Sequence, residues 1–375
     1  FKTKLYIFYY IKKGKYVNRR TFLAAALSPF VMASRCAGAE NKKLDAAIGQ
    51  MLMVNMPGQR AADSNILEYV KNGRVGGVLL FEANIAPSSA PRETLRKLIS
   101  ELQSASRTPL LIAMDQEGGA VNRLKQKYGF APTHKAESLG ERNDAEFTAD
   151  AAEDMAAGLA EMGVNLNFAP VVDVKVNTEN PVVGTLGRCF SDDAEIVAEQ
   201  AAAFIRGHRR QGVLTTLKHF PGHGSSTADS HEGLADVTDT WTELELIPYK
   251  RLIRQDAVDA IMTAHIFNAH LDSDYPASLS HKTITGLLRQ QLGYNGLVIS
   301  DDLYMGAIKN QYSLGESVAL AINAGVDMLM FSTMQDNLID RVTTMIKQHV
   351  ASGSITQERI YQSAERIKRL KERLK

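Results

Sequence analysis

Eight short apolar runs recur along the chain, and longer stretches with helical periodicity separate them. Most of the runs are continuously apolar, which is typical of parallel strands buried on both faces. Strands alternating with helices predict an α/β fold with a parallel sheet, and eight such strands predict a single (β/α)8 TIM-type barrel. The predicted strands are residues 50–55, 75–81, 110–115, 164–169, 213–219, 260–265, 297–301 and 328–332.

A doubly wound open sheet is the competing arrangement of alternating strands and helices. Such a sheet usually has a glycine-rich turn after its first strand, and residues 55–58, Asn-Met-Pro-Gly, do not form one. Apolar residues keep helical spacing over residues 145–162 and 195–209, and the helix-like residues 283–293 end on a glycine, as helices often do. Residues 352–375 predict a final amphipathic helix with a basic, solvated end. The barrel is therefore the favoured fold.

The composition is that of an ordinary globular protein, with 375 residues of which 45% are hydrophobic and 23% are charged. A net charge of +1 gives no electrostatic reason to expect binding to nucleic acid or to an anionic membrane. The two cysteines, Cys36 and Cys189, are too few for a disulfide-rich scaffold or a cysteine-based zinc cluster. The main body has no apolar run of about twenty residues, so we expect no integral membrane span there. We expect a monomer, although the sequence leaves the oligomeric state open.

The N-terminal residues have the features of an export signal. Arg19 and Arg20 precede a short apolar stretch, and small residues around Ala39 offer a cleavage site. The arginine pair resembles a twin-arginine signal. Residues 1–39 are therefore predicted to be an upstream segment and export signal, and residues 40–375 to be the barrel domain.

The expected location of the protein follows from this segment. With an export signal, we expect a periplasmic protein. If residues 17–39 are instead an amphipathic helix, the protein would stay in the cytoplasm. A lipid anchor on Cys36 is disfavoured because Arg35 stands where lipoprotein signals have a small residue.

Polar and ionisable side chains mark the ends of five predicted strands. In a (β/α)8 barrel the carboxyl ends of the strands meet at one face, where the functional site lies. An acidic pair such as Asp301–Asp302 at the end of a buried strand costs free energy unless something uses it. The residues expected to converge on one site are Asp115, Asp173, Lys218, His219, His265, Asp301 and Asp302.

The segment KHFPGHGSSTADSH, residues 218–231, is the most unusual part of the chain. It begins at the end of an apolar strand and has no hydrophobic face of its own. Loops of this kind usually serve chemistry. Gly222 and Gly224 are expected to permit unusual backbone angles and movement of the loop.

A metal site is the alternative interpretation of the same segment. His219, His223 and His231 could be ligands. The neighbouring Lys218 would repel a cation, however, and no acidic ligand lies at the usual spacing. We therefore predict no metal and no other cofactor.

Six motifs in this order resemble the β-N-acetylhexosaminidases of the family-three glycoside hydrolases. The resemblance covers roughly residues 50–334, and the His-bearing DSH triplet at residues 229–231 is its most specific part. The motifs are IAMDQEGGAVNRL (112–124), GVNLNFAPVVDV (163–174), NPVVGTLGRCF (180–190), KHFPGHG…DSH (218–231), IMTAHI (261–266) and ISDDLYM (299–305).

The resemblance implies the roles of the site residues. Asp301 would be the nucleophile, which gives a covalent glycosyl-enzyme and retention of configuration. His231 would donate the proton to the leaving oxygen, and Asp229 would accept from its ring and raise its basicity. Asp302 is expected to be a structural neighbour hydrogen-bonded to backbone. The residues implied to contact the sugar are Asp115, Arg123, Arg188, Lys218 and His219.

The function implied is an exo-acting, retaining β-N-acetylglucosaminidase that removes terminal β-GlcNAc from peptidoglycan fragments or chitooligosaccharides. Phosphorolysis is an alternative, because a neutral histidine does not repel incoming phosphate as a carboxylate would. Two further alternatives are a broader β-glucosidase or β-xylosidase of the same family and a metal-dependent hydrolase. A catalytically silent carbohydrate-binding barrel is disfavoured because the chain keeps Asp301, Asp229 and His231 together.

Overall fold

Parallel strands form the core of the structure, a computed structural model that describes residues 40–85, 88–230, 232–335 and 337–374. The strands among these residues are β1 (Leu52–Asn55), β2 (Gly77–Leu80), β3 (Leu111–Met114), β4 (Leu166–Asn167), β5 (Leu214–Phe220), β6 (Ala235–Asp236), β7 (Ala260–Thr263), β8 (Ile266–Phe267), β9 (Leu297–Ser300) and β10 (Leu329–Phe331). Eight of these described strands form one parallel sheet in the order β10-β1-β2-β3-β4-β5-β7-β9. The sheet belongs to a compact unit that begins at Ala46.

The sheet closes on itself between β9 and β10. Ile299 and Met328 form a parallel bridge, and the Ser300 amide donates to the Met328 carbonyl at 2.9 Å. The Leu303 amide then donates to the Met330 carbonyl at 3.2 Å. Every residue of β2, β3, β5, β7 and β9 is buried, as expected for strands that face the barrel interior on one side and helices on the other. The prediction of a (β/α)8 barrel is confirmed.

Helices follow the barrel strands. Helical residues 40–50 precede β1. The α-helices described after them are α1 (Ile66–Lys71), α2 (Pro91–Ala105), α3 (Ala136–Arg142), α4 (Ala145–Met162), α5 (Ala194–Arg210), α6 (Ile247–Arg254), α7 (Gly306–Lys309), α8 (Leu314–Ala324), α9 (Leu338–Ala351) and α10 (Gln357–Lys371). None of the helices in the described ranges is both long and apolar enough to cross a bilayer.

The predicted helix over residues 145–162 coincides with α4. Asp144 caps its first turn by accepting the Phe147 amide on Oδ1 at 3.1 Å, and Gly163 ends it at a φ of 91°. Both are the residue types that helix ends favour. The helix expected over residues 283–293 is a π-helix that spans Lys282–Gln291.

The C-terminal helix differs from its prediction in two respects. It begins at Gln357 rather than at residue 352, because the Thr356 side chain caps it by accepting the Arg359 amide at 3.2 Å. The expected basic, solvated end is interrupted by Lys371, which is buried and donates to Gln50 Oε1 at 2.7 Å.

A short parallel pair, β6 with β8, lies outside the barrel sheet and was not predicted. Its strands have two residues each, too few for a periodic pattern in the sequence. A small apolar cluster packs around the pair and includes Ala235, Ala264 and Ile266, with Trp241 against it. This pair supports the chain that leaves the polar loop of residues 218–231.

Candidate active site

A cavity of about 450 Å³ lies at the carboxyl ends of the barrel strands. Asp115 follows β3, Lys218 and His219 lie near the end of β5, and Asp301 follows β9. Seven candidate site residues within the described ranges line this one cavity, namely Asp115, Arg123, Arg188, Lys218, His219, Asp229 and Asp301. The eighth, His231, lies outside the described residues.

Lys218 holds two carboxylates at the base of the cavity. Its Nζ lies 2.8 Å from Asp115 Oδ1 and 2.6 Å from Glu117 Oε1. Burial lowers the pKa of this ammonium, but the charges of Asp115 and Glu117 outweigh burial and hold the pKa above its usual value. Lys218 is therefore a fixed cation, and one of its three N–H donors remains for a ligand.

Arg188 forms a buried two-point ion pair with Glu117. Its Nε and Nη2 donate to the two carboxylate oxygens at 2.7 and 2.8 Å, and Nη1 donates to the Val182 carbonyl at 2.9 Å. Burial raises the pKa of Glu117, but the charges of Arg188 and Lys218 lower it well below its usual range. With three of the five guanidinium N–H groups used by described residues, Arg188 keeps two that can face a substrate.

Arg123 approaches Asp115 from the other side. Its Nη2 lies 3.6 Å from Asp115 Oδ2, and its guanidinium carbon lies 5.6 Å from the centre of the Phe81 ring. The buried Nε of Arg123 has no hydrogen-bond partner among the described residues. Asp115 thus lies between two cations, an arrangement that fixes its carboxylate before any ligand arrives.

The buried Asp173 carboxylate holds the His219 ring and the backbone of His219 and His223 in place. Its Oδ2 lies 2.7 Å from His219 Nδ1, and its Oδ1 accepts the backbone amides of His219 and His223 at 3.1 and 2.9 Å. Burial raises the pKa of Asp173, but His219 outweighs this and lowers the pKa below its usual value. The carboxylate fixes the His219 ring, whose Nε2 remains for a ligand.

The polar loop is held at several points after β5. Asn180 Nδ2 donates to the His223 carbonyl at 2.7 Å, and Glu245 Oε2 accepts the Gly224 amide at 2.7 Å. His223 Nε2 and Ser230 Oγ lie 3.1 Å apart, which ties the start of the loop to its end. These contacts hold the segment that brings Asp229 to the cavity wall.

The acidic pair after β9 has two different environments. Asp301 is half-buried and open to the cavity, and its Oδ1 accepts the Asp302 amide at 2.8 Å. The Asp302 carboxylate accepts the amides of Tyr304 and Ser332, each at 3.0 Å, and the Ser332 hydroxyl. Both residues line the cavity, but the Asp302 carboxylate is buried and fixes backbone, whereas Asp301 is the more exposed of the two.

His265 does not belong to the cavity, contrary to its expected convergence with the other strand ends. It is fully buried, and its Nδ1 lies 2.6 Å from Ser278 Oγ while its Nε2 lies 2.9 Å from the Asp302 carbonyl. Both ring nitrogens are thus occupied by structural hydrogen bonds. Among the described residues, no group of three His, Cys, Asp or Glu side chains is arranged to hold a metal ion.

Two carboxylates, Glu117 in the site and Glu245 beneath the polar loop, were not singled out from the sequence. Glu117 lies within the IAMDQEGGAVNRL motif, where it pairs with Arg188, 71 residues further along the chain. Glu245 lies outside every motif, in the 3-10 turn Glu243–Leu246. The signal for Glu117 was its place in the motif, whereas no local signal marked Glu245.

Comparison with known proteins defines the class of this barrel. Residues 43–370 match the family described as "Glycosyl hydrolase family 3 N terminal domain". The chain is 38% identical over 276 residues to a β-hexosaminidase of Tolumonas auensis, covering 72% of this chain and 78% of that protein. It is 31% identical over 333 residues to an uncharacterized secreted glycosyl hydrolase of Arthroderma benhamiae, covering 87% and 92%.

Solved structures agree with this family. A glycoside hydrolase family 3 β-N-acetylglucosaminidase from Paenibacillus sp. FPU-7 has a TM-score of 0.81 and 36% identity, over 88% of this chain and 62% of that one. A β-N-acetylhexosaminidase from Beutenbergia cavernae has a TM-score of 0.78 and 30% identity, over 88% and 98%. The barrel and its charged cavity are therefore those of a glycoside hydrolase. The chain belongs to glycosyl hydrolase family 3.

Proposed function

We propose that the protein is an exo-acting, retaining β-N-acetylglucosaminidase, which removes terminal non-reducing β-GlcNAc from peptidoglycan fragments or chitooligosaccharides. The observation that carries the proposal is that Asp301 and Asp229 line the same cavity as Lys218 and its two carboxylate partners, Asp115 and Glu117. Its volume lies within the range of about 300–1,000 Å³ that is typical of small-molecule sites. Relatives named β-hexosaminidase and β-N-acetylglucosaminidase support the substrate class.

Asp301 is the nucleophile in this proposal. The Asp302 amide donates to its Oδ1, which fixes the orientation of the carboxylate. Attack on the anomeric carbon breaks the glycosidic bond and forms a glycosyl ester, which water then hydrolyses. Two inversions give net retention of configuration.

The proton reaches the leaving oxygen from His231, with Asp229 as its partner. Imidazole titrates near neutral pH, so a histidine can give this proton and later take one from the attacking water. Asp229 would accept from one ring nitrogen and fix the tautomer. Asp229 lines the cavity, two residues before His231.

The remaining cavity residues bind the terminal sugar. Asp115 accepts hydrogen bonds from hydroxyl groups, while Lys218, Arg123 and Arg188 donate to hydroxyl or carbonyl oxygens. His219 offers one ring nitrogen, since its other nitrogen is held by Asp173. Because ion pairs already hold these groups, little reorganisation accompanies binding.

The test is a side-by-side assay with aryl β-GlcNAc, β-GalNAc, β-glucoside and β-xyloside. We expect the β-glucoside to react more slowly than β-GlcNAc by more than the roughly 10–200-fold that one missing methylene causes. Asp301→Asn should abolish activity while the fold is kept, and a 2-fluoro sugar should label Asp301. Rates within about tenfold for β-glucoside would favour a broader β-glucosidase. Formation of a sugar 1-phosphate in phosphate buffer would favour a phosphorylase. Loss of activity when a chelator is added would favour a metal-dependent hydrolase.

We also propose that the protein is exported to the periplasm. Arg19, Arg20 and the apolar stretch after them support this proposal, and they lie outside the described residues. The N-terminal sequence of the mature protein tests it. Cleavage near Ala39 is expected, and a cytoplasmic protein that keeps Arg19 would contradict it.

A further inference from the structure

Glu245 is a buried carboxyl group beneath the polar loop. Its residue is 0% exposed and does not line the cavity. It lies in the 3-10 turn Glu243–Leu246, before α6, rather than on a barrel strand. Its Oε2 nevertheless accepts the Gly224 amide of the loop at 2.7 Å. A side chain remote from the substrate thus contacts the segment that leads to Asp229.

The loop backbone lies directly against Glu245. Gly222 has a φ of 123°, and a Cβ there would come within 2.5 Å of Glu245 Cβ. At Gly224, a Cβ would lie only 1.7 Å from the Val174 carbonyl oxygen. The two glycines therefore let the loop backbone pack closely against Glu245 at Gly222 and against Val174 at Gly224. Gly222 adopts the unusual backbone angle expected from the sequence, but Gly224 serves close approach.

Short contacts through Asn177 and within the loop link Gly224 to the residues beside Asp229. The Gly224 carbonyl accepts the Asn177 amide at 3.1 Å, and Asn177 Nδ2 donates to the Ser226 carbonyl at 2.9 Å. Ser226 Oγ in turn donates to the Ala228 carbonyl at 2.9 Å. The His223 ring lies 3.1 Å from Ser230 Oγ. A displacement at Gly224 would therefore move the residues on both sides of Asp229.

We propose that Glu245 is a positioning residue, which fixes Gly224 and thereby sets where the loop presents Asp229 and His231 at the cavity. The proposal rests on the function proposed above, because it assigns that pair to proton transfer. Glu245 touches neither the cavity nor the reacting atoms. It acts only through the loop.

The protonation state of Glu245 supports this role and suggests its test. Burial raises the pKa of Glu245 to about 8, and the charge of Asp173 adds to the rise. Cys189 and Tyr249 also interact with Glu245, and burial raises the pKa of each well above its usual value, so both are neutral. At neutral pH Glu245 is thus mainly a carboxylic acid, whose shape and acceptor oxygen a glutamine reproduces.

The experiment compares Glu245→Ala and Glu245→Gln with Glu243→Ala, in the full chain. Glu243 lies in the same turn, but it is exposed and pairs only with Lys250 on the surface among the described residues. Hydrogen–deuterium exchange of residues 222–230 is measured first. We expect Glu245→Ala to speed exchange there by more than about tenfold, because loss of the anchor lowers the free energy of local opening. Glu245→Gln and Glu243→Ala should exchange like the wild type.

The second measurement is kcat/KM for aryl β-GlcNAc substrates with good and poor leaving groups. A misplaced proton donor slows poor leaving groups most, so Glu245→Ala should lower their kcat/KM at least about tenfold more than that of activated ones. Glu245→Gln should restore the wild-type ratio. A merely structural role would slow all substrates alike and would overturn the proposal.

The two measurements separate this proposal from the function on which it rests. A wild type that hydrolyses no β-GlcNAc substrate would contradict the proposed function, and with it the link from Glu245 to proton transfer. Wild-type exchange in folded Glu245→Ala would overturn the positioning role itself, whatever the activity. If Glu245→Ala does not fold, Glu245→Asp takes its place, because its shorter side chain cannot reach Gly224 at hydrogen-bond distance. Unchanged exchange in that variant counts against the proposal in the same way.

Discussion

The charged groups at the base of the cavity form one connected network of ion pairs. Glu117 accepts from Arg188 and Lys218, and Asp115 lies between Lys218 and Arg123. Opposite charges compensate the cost of taking each group out of water, but only while all partners are present. The same pairing sets the directions of the N–H groups that remain for the sugar. We therefore expect stability and substrate binding to depend on the same side chains at this site.

Removal of Arg188 should show this dependence. In Arg188→Met, Glu117 keeps only Lys218, so a buried charge loses its two-point partner. We expect the free energy of unfolding to fall by about 3–5 kcal/mol. Urea denaturation of the purified variant measures the change. Activity on aryl β-GlcNAc should be lost as well, because the variant lacks two donors to the sugar.

Arg206→Met is the matched control, since Arg206 pairs with Glu146 on the surface. Its free energy of unfolding should change by less than about 1 kcal/mol. The double variant with Arg188→Met and Glu117→Leu should recover part of the lost stability, since no uncompensated carboxylate remains. A loss in Arg188→Met no larger than in the control would contradict the account of the network.

At the scale of single residues, the sequence predicted the side chains that face the cavity but not the ion pairs that hold them. Lys218 and Asp301 stand at strand ends, where their charge is unexpected, so the sequence marks them. Glu117 and Asp173 gain their roles from partners 71 and 46 residues away, and such pairing has no local pattern. Glu245 contacts Gly224 only because the chain, 21 residues later, folds back beneath the loop.

At the scale of elements, all eight barrel strands were predicted, yet several ladders are shorter than the apolar runs. The strand β4, predicted over residues 164–169, comprises only Leu166–Asn167. Just before it, the Asn165 side chain adds to the backbone pairing: it accepts the Ile112 amide at 2.8 Å and donates to the Leu110 carbonyl at 2.9 Å, while the Asn165 amide donates to the Ile112 carbonyl at 3.1 Å. Hydrophobicity shows that a run is buried, but it does not show which atoms satisfy its backbone.

The end of β5 shows how an element serves the site. Pairing with β7 shifts register between Leu217 and Phe220, so Lys218 and His219 lie in an irregular stretch. Such irregularities redirect side chains and are common beside active sites. They lead directly into the loop, whose proposed task is to bring Asp229 and His231 to the glycosidic oxygen.

The loop should therefore control proton transfer more than binding. In His231→Ala, substrates with poor leaving groups should lose about 10²–10⁴-fold in rate, whereas activated aryl β-GlcNAc should lose far less. Asp229→Asn should show a milder version, because it leaves the imidazole without the partner that raises its basicity. Steady-state kinetics across a series of phenols measures the dependence. Asp239→Asn, an exposed change just after the loop, is the control, and equal losses for all leaving groups would mean that His231 serves binding.

At the scale of the whole molecule, the two ends of the barrel have separate tasks. The carboxyl ends of the strands carry the cavity, whereas at the opposite end the last turn of α10 contacts Gln50, just before β1. There Lys371 Nζ donates to Gln50 Oε1 at 2.7 Å, and no carboxylate pairs with it among the described residues. Changes at the amino-terminal end of such a barrel are expected to affect stability rather than catalysis.

Lys371 should make the stability of the protein depend on pH. Burial lowers its pKa from 10.5 to about 7 in the folded protein. Between these values the unfolded chain binds more protons than the folded one, so the cost of burying Lys371 is greatest below about pH 7 and shrinks as the pH rises. Lys371→Met removes this cost and should raise the melting temperature clearly at pH 6 and much less at pH 9, with kcat/KM unchanged. Lys368→Met, on an exposed face of the same helix beside Glu372, should have no such effect at either pH. A melting temperature of Lys371→Met that differs from that of the wild type by the same amount at both pH values would mean that Lys371 keeps its charge in the folded barrel.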